Sequence, residues 1–447
     1  MRFGTDGVRG PANSELTPEF ALRFGRAAAR AIDVPRWFIV RDTRRSGPML
    51  AAAVGAGLAS EGAEVVDVGV ATTPVGALLA RPTDTAAVVV SASHNPWQDN
   101  GLKLFGPGGH KLSDHAQVRI EETLAVLDGT TPSLDPAAVG EIIEGAGLVS
   151  HYADAVVEAV GSSAQALAGL HVVLDCGHGA ASAIAPGIFR RLGARVTSQH
   201  VSPNGRNINK GVGSTDPAPL AAEVVASGAD LGLAFDGDAD RVIAVDESGA
   251  IVDGDRLLCL FALDMSARGL LAHNTLVVTV MSNLGLHRAM TAKGVTVEVT
   301  AVGDRHVLEA MSAAGFSLGG EQSGHLIFSD LATTGDGILA GALLCDLIVR
   351  SNGSLSSIAG QVMHRVPQVL VNTPTSIRPD DPAADLAELI ASLQSRLGED
   401  GRILVRSSGT EPLVRVMVEA LDVENARQIA DELTSAVLSR YGAGPAS

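Results

Sequence analysis

Three aspartates, Asp236, Asp238 and Asp240, alternate through one short segment between the apolar run 231–235 and Arg241. Carboxylates spaced this way along a loop can converge on one hard cation, and an all-oxygen ligand set suits Mg²⁺ or Ca²⁺. A second segment, Ser91-Ala92-Ser93-His94-Asn95-Pro96, ends another apolar run with hydroxyls, an imidazole and a turn-forming Asn-Pro. Its serine is expected to be exposed at a loop, with Lys103 a few residues on in DNGLKLF. A phosphoryl group on Ser93 would carry a charge of about −2 at neutral pH, completing a metal site that otherwise has three side-chain ligands.

Alternative chemistries fit less well. Counted as an EF-hand loop, Asp236, Asp238, Asp240 and Glu247 fall at positions 1, 3, 5 and 12, but Arg241 occupies the turn position that requires glycine. Counted as an aspartyl-phosphatase loop of the haloacid dehalogenase type, Asp236 would be the nucleophile and Asp238 the acid, with Asp240 standing where Thr or Val is wanted. The bland readings are a solvated acidic turn around Asp238 and a capping serine at Ser93. Two weaker segments complete the set. Arg406-Ser407-Ser408-Gly409-Thr410, with Arg415 soon after, offers guanidinium, hydroxyl and backbone N–H groups to a phosphate. Gly320-Glu321-Gln322-Ser323-Gly324-His325 sets a carboxylate and a hydroxyl between glycines, a device for reading adjacent sugar hydroxyls.

The elements that must position these groups are short Val/Ile/Leu runs alternating with longer helical segments, the pattern of helix-covered parallel or mixed sheets. Strands are expected at 37–40, 86–90, 171–174, 231–235 and 276–280, and a first helix from Thr17 as N-cap and Pro18 to about residue 32. The unusual residues gather in post-strand loops at 41–47, 91–96, 175–180, 236–241, 320–325 and 406–412. In open α/β sheets ligands lie beyond the carboxyl ends of strands, so one composite site is expected.

With 447 residues and a prior of about 150 per domain, several domains are expected. Boundaries are drawn at 1–149, 150–252, 253–366 and 367–447, the last smaller and of α+β type. A net charge of −17 opposes general binding to nucleic acid or an anionic membrane. The scattered Cys176, Cys259 and Cys345 show neither a disulfide framework nor a metal spacing, which fits a reduced cytoplasm. No apolar run approaches the roughly 18 residues of a membrane span.

Taken together and in order, these motifs resemble the α-D-phosphohexomutase superfamily along essentially the whole chain. FGTDGVRG (3–10), SASHNPWQDNGLKLF (91–105), NINKGVGST (207–215), AVGDRHVLEAM (301–311) and SSGTEPLVRVMVEA (407–420) resemble its bacterial branch that acts on amino-sugar phosphates. The resemblance implies a heart-shaped protein of three α/β/α domains with mixed sheets and a smaller α+β domain. It implies that Ser93 is a phosphoserine and a metal ligand beside Asp236, Asp238 and Asp240, which hold Mg²⁺. It further implies that Arg9, Lys103 and His325 line the reaction centre, and that Arg241, Glu321, Ser323, Arg406, Ser408, Gly409, Thr410 and Arg415 bind substrate.

The implied reaction is α-D-glucosamine 6-phosphate to 1-phosphate, through glucosamine 1,6-bisphosphate, with that compound or glucose 1,6-bisphosphate as activator. Phosphomannomutase or phosphoglucomutase activity is the alternative within the superfamily. The implied partner is a small sugar phosphate, with a homodimer as the assembly it allows. Either Lys103 or His325 could take the sugar-hydroxyl proton. The chain departs from the pattern at Val212 and Asp216, where Cys and His are expected, and at Ser407, where a proline is common.

Overall fold

The computed structural model describes residues 3–4, 6–127, 135–161, 165–408 and 412–444. Gly409 and Thr410 therefore lie outside the described residues. The chain divides into two compact units, Met1–Met281 with Val295–Gln361, and Ser282–Gly294 with Val362–Ser447.

The first unit contains three sheets built to one plan. In the first, strands run in the order Val8–Pro11, Asp99–Phe105, Thr85–Val90, Arg36–Arg41, Glu64–Val70, Ile142–Glu144. The last four are parallel, whereas Asp99–Phe105 is antiparallel to both of its neighbours. In the second sheet, parallel strands Arg195–Gln199, His171–Asp175 and Leu231–Phe235 are followed by antiparallel Val242–Asp246 and Ile251–Val252. In the third, parallel Thr296–Thr300, Thr275–Thr279 and Leu318–Gly320 are followed by antiparallel Leu326–Phe328.

Each plan thus has one point where a parallel strand turns back into an antiparallel neighbour. Those three turns carry 91–98, 236–241 and 321–325, the serine, aspartate and Glu321 segments. The strands feeding them are buried along their length because helices cover both faces, so their sequences are unbroken apolar runs without period-2 alternation.

The first helix, Pro18–Ala31, begins as its sequence predicts: Thr17 Oγ1 accepts from Phe20 N at 3.2 Å and Pro18 fills the first turn. It packs Ala21, Phe24 and Ala28 into the core beneath the first sheet. All three cysteines are buried and outside any disulfide, and burial pushes their thiols upward. Among the described residues no single helix is long and apolar enough to cross a membrane.

The second unit is a three-stranded antiparallel sheet, Gln368–Pro374, Leu413–Glu419 and Arg402–Ser407, in that spatial order. Helix Val423–Tyr441 covers one face through Ile429, Leu433 and Val437. Segment 282–294 joins this unit because Glu419, fully buried, accepts from Asn283 Nδ2 at 2.8 Å, Leu284 N at 3.1 Å and Arg402 Nε at 2.6 Å.

Candidate active site

The aspartate loop brings one ligand oxygen from each of Asp236, Asp238 and Asp240 within 4.8 Å of one another. All three side chains are buried. Ala239 at φ +57° turns the backbone so that the carboxylates on either side face inward. Oδ1 of Asp238 and Oδ1 of Asp240 are buried and accept no hydrogen bond. Desolvated carboxylate oxygens without a partner are costly, and a hard cation among them relieves that cost, so the residues present fit Mg²⁺.

The three carboxyls are unequal. Burial, reinforced by Asp240 and Asp238, pushes Asp236 well above the usual range. At Asp238 burial and Asp240 act in the same upward sense, but Lys103 and Thr73 outweigh them and leave it low. At Asp240 burial is overcome by Lys103, His325 and Arg241, which hold it well below the ordinary value. Lys103, fixed on strand Asp99–Phe105, donates to Asp238 Oδ2 at 2.8 Å and Asp240 Oδ2 at 3.3 Å, and lies 3.1 Å from Asp6. Burial works against its ammonium, yet Asp238 and Asp240 keep its pKa above the ordinary value.

Ser93 meets this cluster directly: its Oγ donates to Asp236 Oδ2 at 2.6 Å and lies 3.3 Å from His94 Nδ1. The expectation of an exposed serine is corrected, since Ser93 is completely buried. The aspartate loop of the second sheet covers it so closely that a Cβ on Gly237 would sit 2.5 Å from Ser93 O. His94 is held neutral, its pKa pushed down to about 4 by burial and by Arg241 and Arg9.

Arg9 pairs with Asp6, which also accepts from Lys111 at 2.6 Å, and Lys111 continues to Asp304. Burial opposes the charge on Asp304, but Lys111 and His325 hold its pKa at about 2. His325 Nε2 accepts from Gly335 N at 3.1 Å, and Nδ1 lies 3.7 Å from Asp240 Oδ1. Arg241 Nε lies 3.8 Å from Asp240, and Asp240, Asp236 and Glu321 raise its pKa against burial. Glu321 accepts from Gly303 N at 3.1 Å, and Ser323 is exposed beside it. Ser93, Lys103, Arg9, the aspartates, Arg241, His325 and Glu321 therefore share the first unit.

Arg406, Ser408 and Arg415 belong to the second unit. Arg406 and Arg415 are direct cross-strand partners, so their guanidiniums leave the same face of the sheet. Two cations set opposite each other repel, and an anion between them reverses the sign.

Several members of the site are ordinary polar residues that the spacing of carboxylates and serines does not reveal. Thr73 Oγ1 donates to Asp238 at 2.6 Å, and Asn209 Nδ2 donates to Ser93 O at 2.8 Å. Asp6, Asp304 and Asn209 all fall inside motifs already distinctive in the sequence (FGTDGVRG, AVGDRHV and NINKG), which is the signal that could have found them.

Comparison with known proteins agrees with this arrangement. The family described as phosphoglucomutase/phosphomannomutase matches as alpha/beta/alpha domain I over residues 1–128, domain II over 150–249, domain III over 253–366 and C-terminal domain over 369–436. The chain belongs to this family of phosphohexomutases. Among its relatives is the phosphoglucosamine mutase of Mycobacterium tuberculosis H37Rv, 50% identical over 446 residues that cover 97% of this chain and 98% of the relative. A crystal structure of a phosphoglucomutase/phosphomannomutase family protein from Burkholderia thailandensis superimposes with a TM-score of 0.80 at 26% identity, covering 98% of each chain. The fold is also shared by Aspergillus fumigatus N-acetylphosphoglucosamine mutase, solved with GlcNAc-6P and magnesium, at TM-score 0.67, 18% identity and coverage of 98% and 95%.

Proposed function

We propose that this chain interconverts α-D-glucosamine 6-phosphate and α-D-glucosamine 1-phosphate, through a phosphoryl group carried on Ser93, on the route to UDP-N-acetylglucosamine and the cell wall. The observation that carries the chemistry is the 2.6 Å contact of Ser93 Oγ with Asp236, at the edge of a buried three-carboxylate cluster. The choice of amino sugar is supported by the relatives at 50% identity over nearly the whole chain.

In the forward direction the bond between phosphorus and Ser93 Oγ breaks and one to sugar O1 forms, giving a 1,6-bisphosphate. The O1 proton leaves to a base. After the bisphosphate turns over, its 6-phosphoryl passes to Ser93 Oγ and a proton returns to O6. Asp236, Asp238 and Asp240 would hold Mg²⁺, which supplies charge neutralisation for the transferring group. Positioning and electrostatics supply most of the rate in such transfers, so the protein needs rigid, preorganised groups.

Lys103 is the stronger candidate to stabilise or relay charge beside Ser93, because its ammonium is buried among Asp6, Asp238 and Asp240. His325 is the weaker base, since Nε2 is occupied by Gly335 N and Nδ1 faces Asp240. Glu321 and Ser323 read ring hydroxyls in both orientations of the sugar, with Arg241 beside them. Arg406, Ser408, Gly409, Thr410 and Arg415 grip the phosphate that is not reacting. A glucosamine or glucose 1,6-bisphosphate serves as activator by loading Ser93.

Coupled assays on glucosamine, glucose and mannose phosphates, with bisphosphate present, test the assignment. The expected result is the highest kcat/KM for glucosamine phosphate with measurable side activity on glucose phosphate, because one hydroxyl-for-amine change at C2 discriminates modestly. A preference for mannose or glucose phosphate would overturn the substrate and leave the transfer chemistry standing.

A further inference from the structure

Ser93 adopts φ +52°, in the left-handed region that a residue with a side chain enters only at a cost of roughly 1–2 kcal/mol. A glycine would relieve the strain but would carry no hydroxyl. The conformation that aims Oγ at Asp236 must therefore be imposed from outside the residue.

Arg44 is the group that can impose it. It lies in the loop after strand Arg36–Arg41, and its side chain is 0% exposed. Nε donates to Asp42 Oδ2 at 2.8 Å. Nη2 donates to Ser93 O and Asn95 O, both at 2.8 Å, and Nη1 donates to Asp99 O at 3.0 Å and to Pro96 O. All five donors of the guanidinium are thus used, four of them on main-chain carbonyls of one loop.

The other end of the Ser93 peptide leads back to the same pair. Ser93 N donates to Ser91 Oγ at 2.9 Å, and Ser91 Oγ donates to Asp42 Oδ2 at 2.6 Å. Asp42 Oδ1 in turn accepts from Arg44 N at 3.0 Å. From the second sheet's side, Asn209 Nδ2 adds bonds to Ser93 O at 2.8 Å and Asn95 O at 3.2 Å. Apart from Asp42, every partner of the Arg44 guanidinium is a carbonyl of the segment that bears the nucleophile. A lysine, with three donors and no planar fork, cannot span four carbonyls and a carboxylate.

We propose that Arg44 is a positioning residue for phosphoryl transfer. It clamps the 93–99 loop in the left-handed kink that presents Ser93 Oγ to the carboxylate cluster, and it does so without contacting substrate. Asn209 is the secondary grip on the same carbonyls. The inference rests on the reading of Ser93 as the phosphoryl carrier.

The test compares Arg44→Lys, Arg44→Ala and Asn209→Ala with Arg26→Met, which breaks the partly buried Arg26–Glu61 pair elsewhere in the same sheet's helices and serves as the stability control. Measured for each are kcat, KM for glucosamine phosphate, Tm and phosphate on Ser93 by mass spectrometry. Misplacing the reacting oxygen by about 1 Å costs on the order of 100-fold, so Arg44→Lys should lose about that factor in kcat with KM changed less than about twofold. Asn209→Ala should lose about tenfold in kcat. Millimolar methylguanidinium should restore part of the kcat of Arg44→Ala. Arg26→Met should lower Tm and leave kcat alone.

If Arg44→Ala does not fold, Arg44→Lys and Asn209→Ala decide. A kcat for Arg44→Lys within about threefold of wild type, or losses that merely follow Tm as in the control, would overturn the positioning role. Failure of the carrier reading looks different: wild-type protein without phosphate on Ser93 and an active Ser93→Ala variant.

Discussion

Ser93 Oγ and Asp236 Oδ2, 143 residues apart in sequence, lie 2.6 Å apart in space. Each sits just past the last parallel strand of its own sheet, where the chain turns into an antiparallel neighbour. Two copies of one architectural device are therefore placed face to face. The hydroxyl supplies what the carboxylate cluster needs from outside its own loop, and the cluster buries the hydroxyl away from bulk water. Exclusion of water matters for any phosphoryl carrier, which would otherwise lose its group to hydrolysis.

The cluster should be metal-dependent in a way that does not require turnover to detect. Mg²⁺ is expected to raise the Tm of the wild-type protein, because it binds the folded carboxylates and not the unfolded chain. Asp238→Ala should lose that shift and nearly all activity. A full Mg²⁺-dependent Tm shift in Asp238→Ala, measured by differential scanning fluorimetry, would place the ion elsewhere.

Lys103→Met should be strongly destabilising in metal-free buffer. It leaves Asp238 and Asp240 buried without their cation, a change that costs about 3–5 kcal/mol when one partner of a buried pair is removed. Added Mg²⁺ should return part of the loss. Urea unfolding with and without Mg²⁺ checks both halves of the prediction.

Asp336 gives a pH signature separate from the reaction. Burial raises its pKa to about 6, although Leu339 N and Tyr152 OH donate to it at 3.0 Å and 2.7 Å. A carboxyl raised in the folded state binds its proton more tightly there than when unfolded. Its contribution to stability is full below about pH 4 and is lost as pH rises to 6, a change of about 2–3 kcal/mol. Asp336→Asn should remove that component, so the stability difference between mutant and wild type should change across pH 4–6 and be flat above it. Equal slopes in the two proteins would contradict the assignment.

Arg406 and Arg415 stand opposite each other on neighbouring strands of the second unit's sheet. Arg406→Lys keeps the charge but loses the fork, and kcat/KM should still fall about tenfold or more. An unaltered kcat/KM in Arg406→Lys would place this sheet face outside the site.

Much of the frame was legible because buried parallel strands are written as unbroken apolar runs. The run 231–235 is a strand over those residues, and 37–40, 86–90, 171–174 and 276–280 fall within a residue of their observed limits. The aspartate triad was legible for the same reason, since a strand end fixes where an alternating loop must point. The burial of Ser93 was not, because the group that covers it arrives from another sheet and no local pattern reports it. Thr73, Lys111 and Arg44 were hidden likewise: a buried arginine bonded to carbonyls has no spacing that distinguishes it from a surface one. His325 illustrates the limit for chemistry. Its sequence allows a base, and only the Gly335 N contact shows that one ring nitrogen is already engaged.

The most direct measurement is a single turnover followed by site-resolved mass spectrometry. Protein loaded with a 1,6-bisphosphate is freed of excess ligand, located for phosphate, then mixed with glucosamine 6-phosphate and Mg²⁺. The account predicts about one phosphate on Ser93 before mixing, its loss as glucosamine 1,6-bisphosphate appears, and no loading in Ser93→Ala. Phosphate found on Asp236, or release of inorganic phosphate at the rate of turnover, would contradict it.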